Sequence, residues 1–243
     1  MFAADPPIER VYSSLYYRCL QTVEPFVKKT ALSPLSTAAT PVRDNTAKAT
    51  SGGLRIRGET GIGEWFGAAK FEHPVPATPE VLASHFPALL DLSYTAAVVP
   101  TRMGEGVGEL HDRVAATLDA LVTDCDRDGI RAILLCTHAA VVIALGRVLT
   151  GRMPESIEAE DFGAFTCGLS VYRRRESGSG DKDGEEGTTA VAGRSPTLVQ
   201  ATDAGNRSQV GRVEWRGRGV SGGWDCLLDS DCSHLSSGEE RGW

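Results

Sequence analysis

The chain has 243 residues, 41% of them apolar, enough for one large domain or two small ones with a substantial core. A net charge of −7 argues against a general nucleic-acid binder, whose surface would be basic. Six scattered cysteines and no secretory signal point to reduced thiols, and the longest apolar run, 139–149, is too short to span a bilayer, so an intracellular protein of the cytoplasm or nucleus is expected.

Val11-Tyr12-Ser13 reads as a short strand, and 16–29 as a helix with apolar spacing at Leu20, Val23 and Val27. Ser13 or Ser14 is placed to cap that helix. Residues 33–53 are small, polar and unperiodic, which predicts a loop. Residues 54–58, "LRIRG", alternate as a strand does, then break into "ETGIGEWFG", a glycine-punctuated loop with two carboxylates.

The strongest helical stripe is 104–128, with Val107, Leu110, Val114, Leu118, Leu121, Val122 and Cys125 on one face and Gly129 at its end. The apolar run 131–137 predicts a strand covered on both faces. A helix over 139–149 follows, closed by Gly151. Residues 165–175 predict another strand that ends in a basic cluster, read as a solvated strand end.

Residues 176–195 offer little to bury and read as a disordered insertion. A short strand over 197–202 and an irregular tail from Gly217 complete the chain. The expected organisation is one α/β domain over 1–175, the insertion, and a C-terminal segment, 196–243, packing back on that domain.

In an open α/β sheet, ligands bind beyond the carboxyl ends of the strands, where helix N-termini present free N–H groups. Arg18, Glu59 and His138 each follow a predicted strand. An arginine fork suits phosphate oxygens, a histidine titrates near neutrality, and a carboxylic acid can protonate a leaving oxygen. Each residue alone is commonly a surface or structural group; together they describe an anion pocket with a proton donor. Cys226, Cys232 and His234 lack the spacing and fourth ligand of a zinc site, "GVGELH" follows no strand, and His111 falls at the margin of the helical stripe as a packing or surface residue. No metal or cofactor is expected.

These stretches resemble the histidine phosphatase superfamily, with its phosphoglycerate mutase-like three-layer α/β/α fold. "YSSLYYRCLQT" is similar to a family signature met here by Ser14, Arg18 and Thr22. "LRIRGETGIGEW" resembles the segment carrying the family's acid, which implies that role for Glu59. "MGEGVGELHDRV" is similar to a segment matched by Gly104, Glu105 and Arg113. "LLCTHAAVVIALGRVLTG" resembles the strand, second histidine and helix, implying that His138 is the second catalytic histidine and, with Arg18, binds phosphate. "GIGEWFG", "FTCGLSVYRR" and the tail resemble the fungal branch related to the tau subunit of transcription factor IIIC.

Family members attack a phosphoryl group with the histidine of an Arg-His-Gly motif, and this sequence contains none. His73, His85, His111 and His234 follow no apolar strand run. Leu15, Gly106 and Ala139 also stand where proline, serine and glycine are usual. The resemblance therefore implies a phosphate-monoester hydrolase fold that lacks its first strand and helix and, in this chain, its nucleophile. Without that first strand, "AILLCT" (132–137) would carry unpaired backbone. The alternative function is a non-catalytic subunit of a transcription factor IIIC-like complex of RNA polymerase III. Expected partners are a phosphorylated small molecule or phosphoprotein and other protein subunits, with no direct nucleic acid and no membrane.

Overall fold

The computed structural model describes residues 5–31, 53–69, 71–156, 159–176 and 212–242. It is an α/β protein built on a three-stranded parallel sheet of order β2-β1-β3. The strands are β1 (Arg10–Ser13), β2 (Ile56–Gly58) and β3 (Ile133–Cys136). The helices are α1 (Tyr17–Ala31), α2 (Pro79–His85), α3 (Val107–Arg127) and α4 (Ala139–Thr150). A separate antiparallel pair joins β4 (Leu169–Arg174) to β5 (Trp224–Asp231).

The centre of the sheet is β1, paired in register with Ile56–Gly58 on one side and with Ile133–Cys136 on the other. Successive strand residues point to opposite faces, and β1 uses both. Val11 packs with Leu20, Val23 and Val27 of α1 and with Leu82 and Phe86 around α2. Tyr12 enters the opposite core, with Leu110, Val114, Leu118 and Leu121 of α3, Val141 and Val148 of α4, and Trp215. Helices thus cover both faces, giving three layers.

The chain dictates most of this locally. The stripe predicted for α3 is buried from Leu110 to Cys125. The helix starts at Val107 rather than 104 because Gly104 has a positive φ of 75° and Gly106 is its extended N-cap. The Glu109 carboxylate accepts from the Gly106 N–H at 2.8 Å, supplying one arm of a capping box. Gly151 closes α4 in the left-handed region, φ 79°, where any Cβ would also collide with the Arg218–Gly219 backbone.

The structure qualifies the expectations in two places and adds one helix. The 131–137 run is only half-buried at each of its four strand residues. Both of its faces meet helices, yet among the described residues only β1 pairs with it, so one edge stays open. The unpaired backbone expected there is confined to that edge. The tail is not irregular throughout: Trp224–Asp231 is a strand whose residues alternate between half-buried and exposed until Ser230. Three aspartates and the flanking glycines conceal that alternation in the sequence. Helix α2, outside every predicted element, is started by Thr78 as N-cap with Pro79 in its first turn.

The basic cluster is engaged in ion pairs: Arg174 meets Asp126 at 2.7 Å and Arg175 meets Asp225 at 2.9 Å. His111 is fully packed, its Nδ1 2.7 Å from the Val107 carbonyl and its ring stacked on Trp215. The proposed insertion beyond Glu176 and the proposed strand 197–202 lie outside the described residues, as does 33–52. Among the described residues no helix is long and apolar enough to cross a membrane.

Candidate functional site: an arginine and a histidine on one carboxylate

Two strand-to-helix turns meet at the carboxyl edge of the sheet. β1 runs into α1, which brings in Ser14, Arg18 and Cys19; β3 runs into α4, whose N-cap is His138. Capping residues usually turn their side chains onto the helix N–H groups, but His138 makes no such bond. Its buried ring points across to α1 instead. Nε2 lies 2.8 Å from Ser14 Oγ and 3.6 Å from Cys19 Sγ. Nδ1 lies 3.2 Å from Glu64 Oε2.

Arg18 reaches the same carboxylate oxygen, its Nη2 2.5 Å from Glu64 Oε2 and 3.0 Å from His138 Nδ1. Arginine and histidine therefore share one acceptor. Arg18 is the exposed member, at 59% of its side chain, whereas the His138 side chain is 3% exposed. Tyr16 completes the wall, under the Arg18 guanidinium and edge-on to the His138 ring at 5.2 Å. Thr22, the last residue of the predicted signature, bonds back to the Arg18 carbonyl at 3.0 Å and stays outside the cluster.

Burial works against charge on His138, but the Cys19 sulfur and the Glu64 carboxylate outweigh it and hold the imidazole above its ordinary value. Burial likewise opposes the Glu64 charge, and hydrogen bonds from His138 and the Trp65 N–H, with Arg18 beside them, hold it below its ordinary value. The signs fix the pH window. Stability from Glu64 is present above 4.5 and lost as pH falls through its lowered value; that from His138 is present below 6.5 and lost as pH rises through its raised value. The ion pair contributes most between those two limits.

The Glu59 carboxylate bonds to a different set of groups. Glu59 is fully buried, and its carboxylate accepts from Gly61 N at 2.7 Å, Ala97 N at 2.8 Å, Tyr94 Oη at 2.5 Å and Val98 N at 3.4 Å. Burial raises its pKa, with these donors pulling the other way. No hydrogen bond or ion pair joins it to Arg18 or His138 among the described residues. It instead shapes the loop that carries Glu64, capping the single turn of 3₁₀ helix at Thr60–Ile62. Gly61 is required there, since a Cβ would fall 2.2 Å from Thr117 Oγ1. Glu59→Ala would orphan several buried donors and is expected to cost about 3 kcal/mol, read from urea unfolding.

The predicted Glu105 and Arg113 form a buried ion pair, Nε 2.8 Å from Oε1, and Arg113 Nη1 also donates to Gly61 O at 2.7 Å and Gly63 O at 3.3 Å. Trp65 Nε1 donates to the Glu105 carbonyl at 2.9 Å. Thr137 ties β3 to the same loop through the Ile62 carbonyl at 2.6 Å. Loop 59–65 is thus held from three sides, which fixes Glu64 between Arg18 and His138. Glu64 was visible in the sequence only as the second carboxylate of "ETGIGEWFG".

An anion is well served at this edge. Two helices of more than three turns begin here, and their N-termini favour negative charge beside Arg18 and His138. In the structure that charge is the Glu64 carboxylate. None of His73, His85, His111 and His234 makes a hydrogen bond or ion pair with Arg18 or His138 among the described residues.

No family model matches the chain. Over its full length it is 24% identical, across 250 residues, to the transcription factor tau 55 kDa subunit of Saccharomyces cerevisiae. The chain spans 47% of that relative, about half its length. Among solved structures it is similar to the ecdysone phosphate phosphatase EPPase from Bombix mori, crystallised with tungstate, with a TM-score of 0.45 and 18% identity over 64% of this chain and 52% of that one.

Proposed function

We propose that this chain is a phosphatase-like, non-catalytic subunit of a transcription factor IIIC-like complex, and that Arg18 and His138 hold a phosphate-type anion without transferring it. The observation that supports this most is the shared acceptor: a guanidinium and an imidazole converge on one carboxylate at two helix N-termini. A phosphate group from a small molecule or a phosphoprotein presents the same acceptor oxygens and would replace Glu64 on both donors. Glu59, which the family resemblance offers as the acid, serves in this reading through the loop it organises. His138 would act as a donor to the anion and, in an active relative, as the proton source.

Transfer needs a nucleophile, since covalent catalysis depends on splitting one step into two. The 243 residues hold no Arg-His-Gly, and the family's attack is assigned to that histidine. Similarity to the tau subunit supports the complex; such a subunit would work in the nucleus and contact other proteins through an acidic surface. Two measurements test the reading. Purified chain given an aryl phosphate should release no product above buffer; turnover that disappears in His138→Ala would show an active enzyme instead. Tagged protein recovered from cells should bring down transcription-factor subunits, and recovery without any of them would remove the complex from the proposal.

A further inference from the structure

Cys19 follows Arg18 on α1 and turns inward, 4% exposed. Its Sγ lies 3.6 Å from Nε2 and 3.9 Å from Nδ1 of His138, and 3.7 Å from the Thr137 carbonyl. His138 in turn meets Glu64, so a thiol and a carboxylate both neighbour one imidazole, with the Arg18 charge beside them. An imidazolium held by a carboxylate favours a thiolate beside it, the reactive form of cysteine. A second thiol is already in place. Cys136, the last residue of β3, donates its Sγ–H to the Cys19 carbonyl at 3.3 Å, which sets its sulfur against residue 19.

The electrostatics agree with that geometry. The neighbouring Cys136 thiol, joined by the His138 and Arg18 charges and set against burial, pulls Cys19 down to about 5. Cys136 is pushed upward by the Cys19 anion and by burial, so it keeps its proton. The pair is thus biased toward charge on Cys19 and a proton on Cys136, as an attacking and a resolving cysteine require. Elsewhere, burial pushes Cys125 and Cys226 upward. Holding an anion on Arg18 and His138 draws on Cys19 only through the charge of His138 and makes no use of Cys136.

We infer that Cys19 and Cys136 form a hydroperoxide-responsive dithiol beside the anion site. In the first step the Cys19 thiolate attacks one oxygen of hydrogen peroxide and the O–O bond breaks. The departing hydroxide takes a proton from the His138 imidazolium and leaves as water, and Cys19 becomes a sulfenic acid. In the second step the Cys136 sulfur attacks the Cys19 sulfur and the S–O bond breaks. The hydroxyl leaves with the Cys136 proton as a second water, and a disulfide remains. Two electrons pass from the thiols to the peroxide, and a dithiol reductant returns them. The disulfide staples α1 to β3 and removes the sulfur anion that supports charge on His138.

The test is thiol mapping of the full chain after hydrogen peroxide treatment at neutral pH, alkylation of the remaining thiols and digestion without reductant. The expected result is a peptide pair joined through Cys19 and Cys136, lost on adding dithiothreitol. In Cys136→Ser the expected result is dimedone-trapped sulfenic acid on Cys19. Recovery of Cys19 and Cys136 as alkylated thiols, at a peroxide dose that oxidises the exposed Cys167, would overturn the inference. The first readout needs no variant, so a poorly folding substitution leaves the test intact.

Discussion

Arg113→Ala is expected to remove about 3–5 kcal/mol of folding stability, a large share of what a single domain has. The Arg113 side chain is 3% exposed and that of its partner Glu105 8%, so the substitution leaves a carboxylate out of water with no cation beside it. It also strips donors from the carbonyls of Gly61 and Gly63. Truncating one member of a buried pair costs more than the pair is worth, because the survivor pays for its desolvation alone. The loop between Glu59 and Trp65 then loses its anchor, and Glu64 loses its position. Urea unfolding followed by far-ultraviolet circular dichroism measures the loss. A midpoint unchanged from the native chain would mean that the loop is held by Glu59 and Thr137 alone.

Glu64→Gln is expected to tighten binding of inorganic phosphate about tenfold at low salt, equivalent to about 1.4 kcal/mol. Glutamine keeps the size of the side chain but no longer carries the charge that occupies Arg18 and His138. An incoming anion then meets the Arg18 guanidinium and the His138 imidazole without first displacing a carboxylate. Most of the gain should disappear as salt rises, because Arg18 is exposed and screened. Calorimetric titration at pH 6, where His138 is charged, gives the comparison. Equal or weaker affinity in the variant would show that Glu64 is a structural tether rather than the occupant of an anion site.

The sequence carried the elements that place the site more clearly than the site itself. A β-type run leading into a 3.6-residue stripe located both Arg18 and His138, since side chains just past a strand's carboxyl end have nowhere else to go. The glycine at 151 marked the end of α4 because a left-handed residue was needed there. The carboxylate was harder. Glu59 and Glu64 lie five residues apart in one glycine-rich loop, and the single 3₁₀ turn between them decides which faces inward. Loop direction depends on contacts from Arg113, Tyr94 and Thr137, all distant in sequence. Cys19 had a readable signal: it sits four residues before Val23, on the buried side of α1, next to the arginine. The strand at 224–231 was obscured because alternating aspartates make its exposed face look like a loop.

That Arg18 and His138 hold an anion together is tested most directly by following the His138 imidazole resonances while inorganic phosphate is added to the full chain at pH 6. A saturable shift is expected in the native chain, about tenfold weaker in Arg18→Gln and stronger in Glu64→Gln. Resonances that stay fixed in both the native chain and Glu64→Gln, or that titrate equally with and without the arginine, would contradict it.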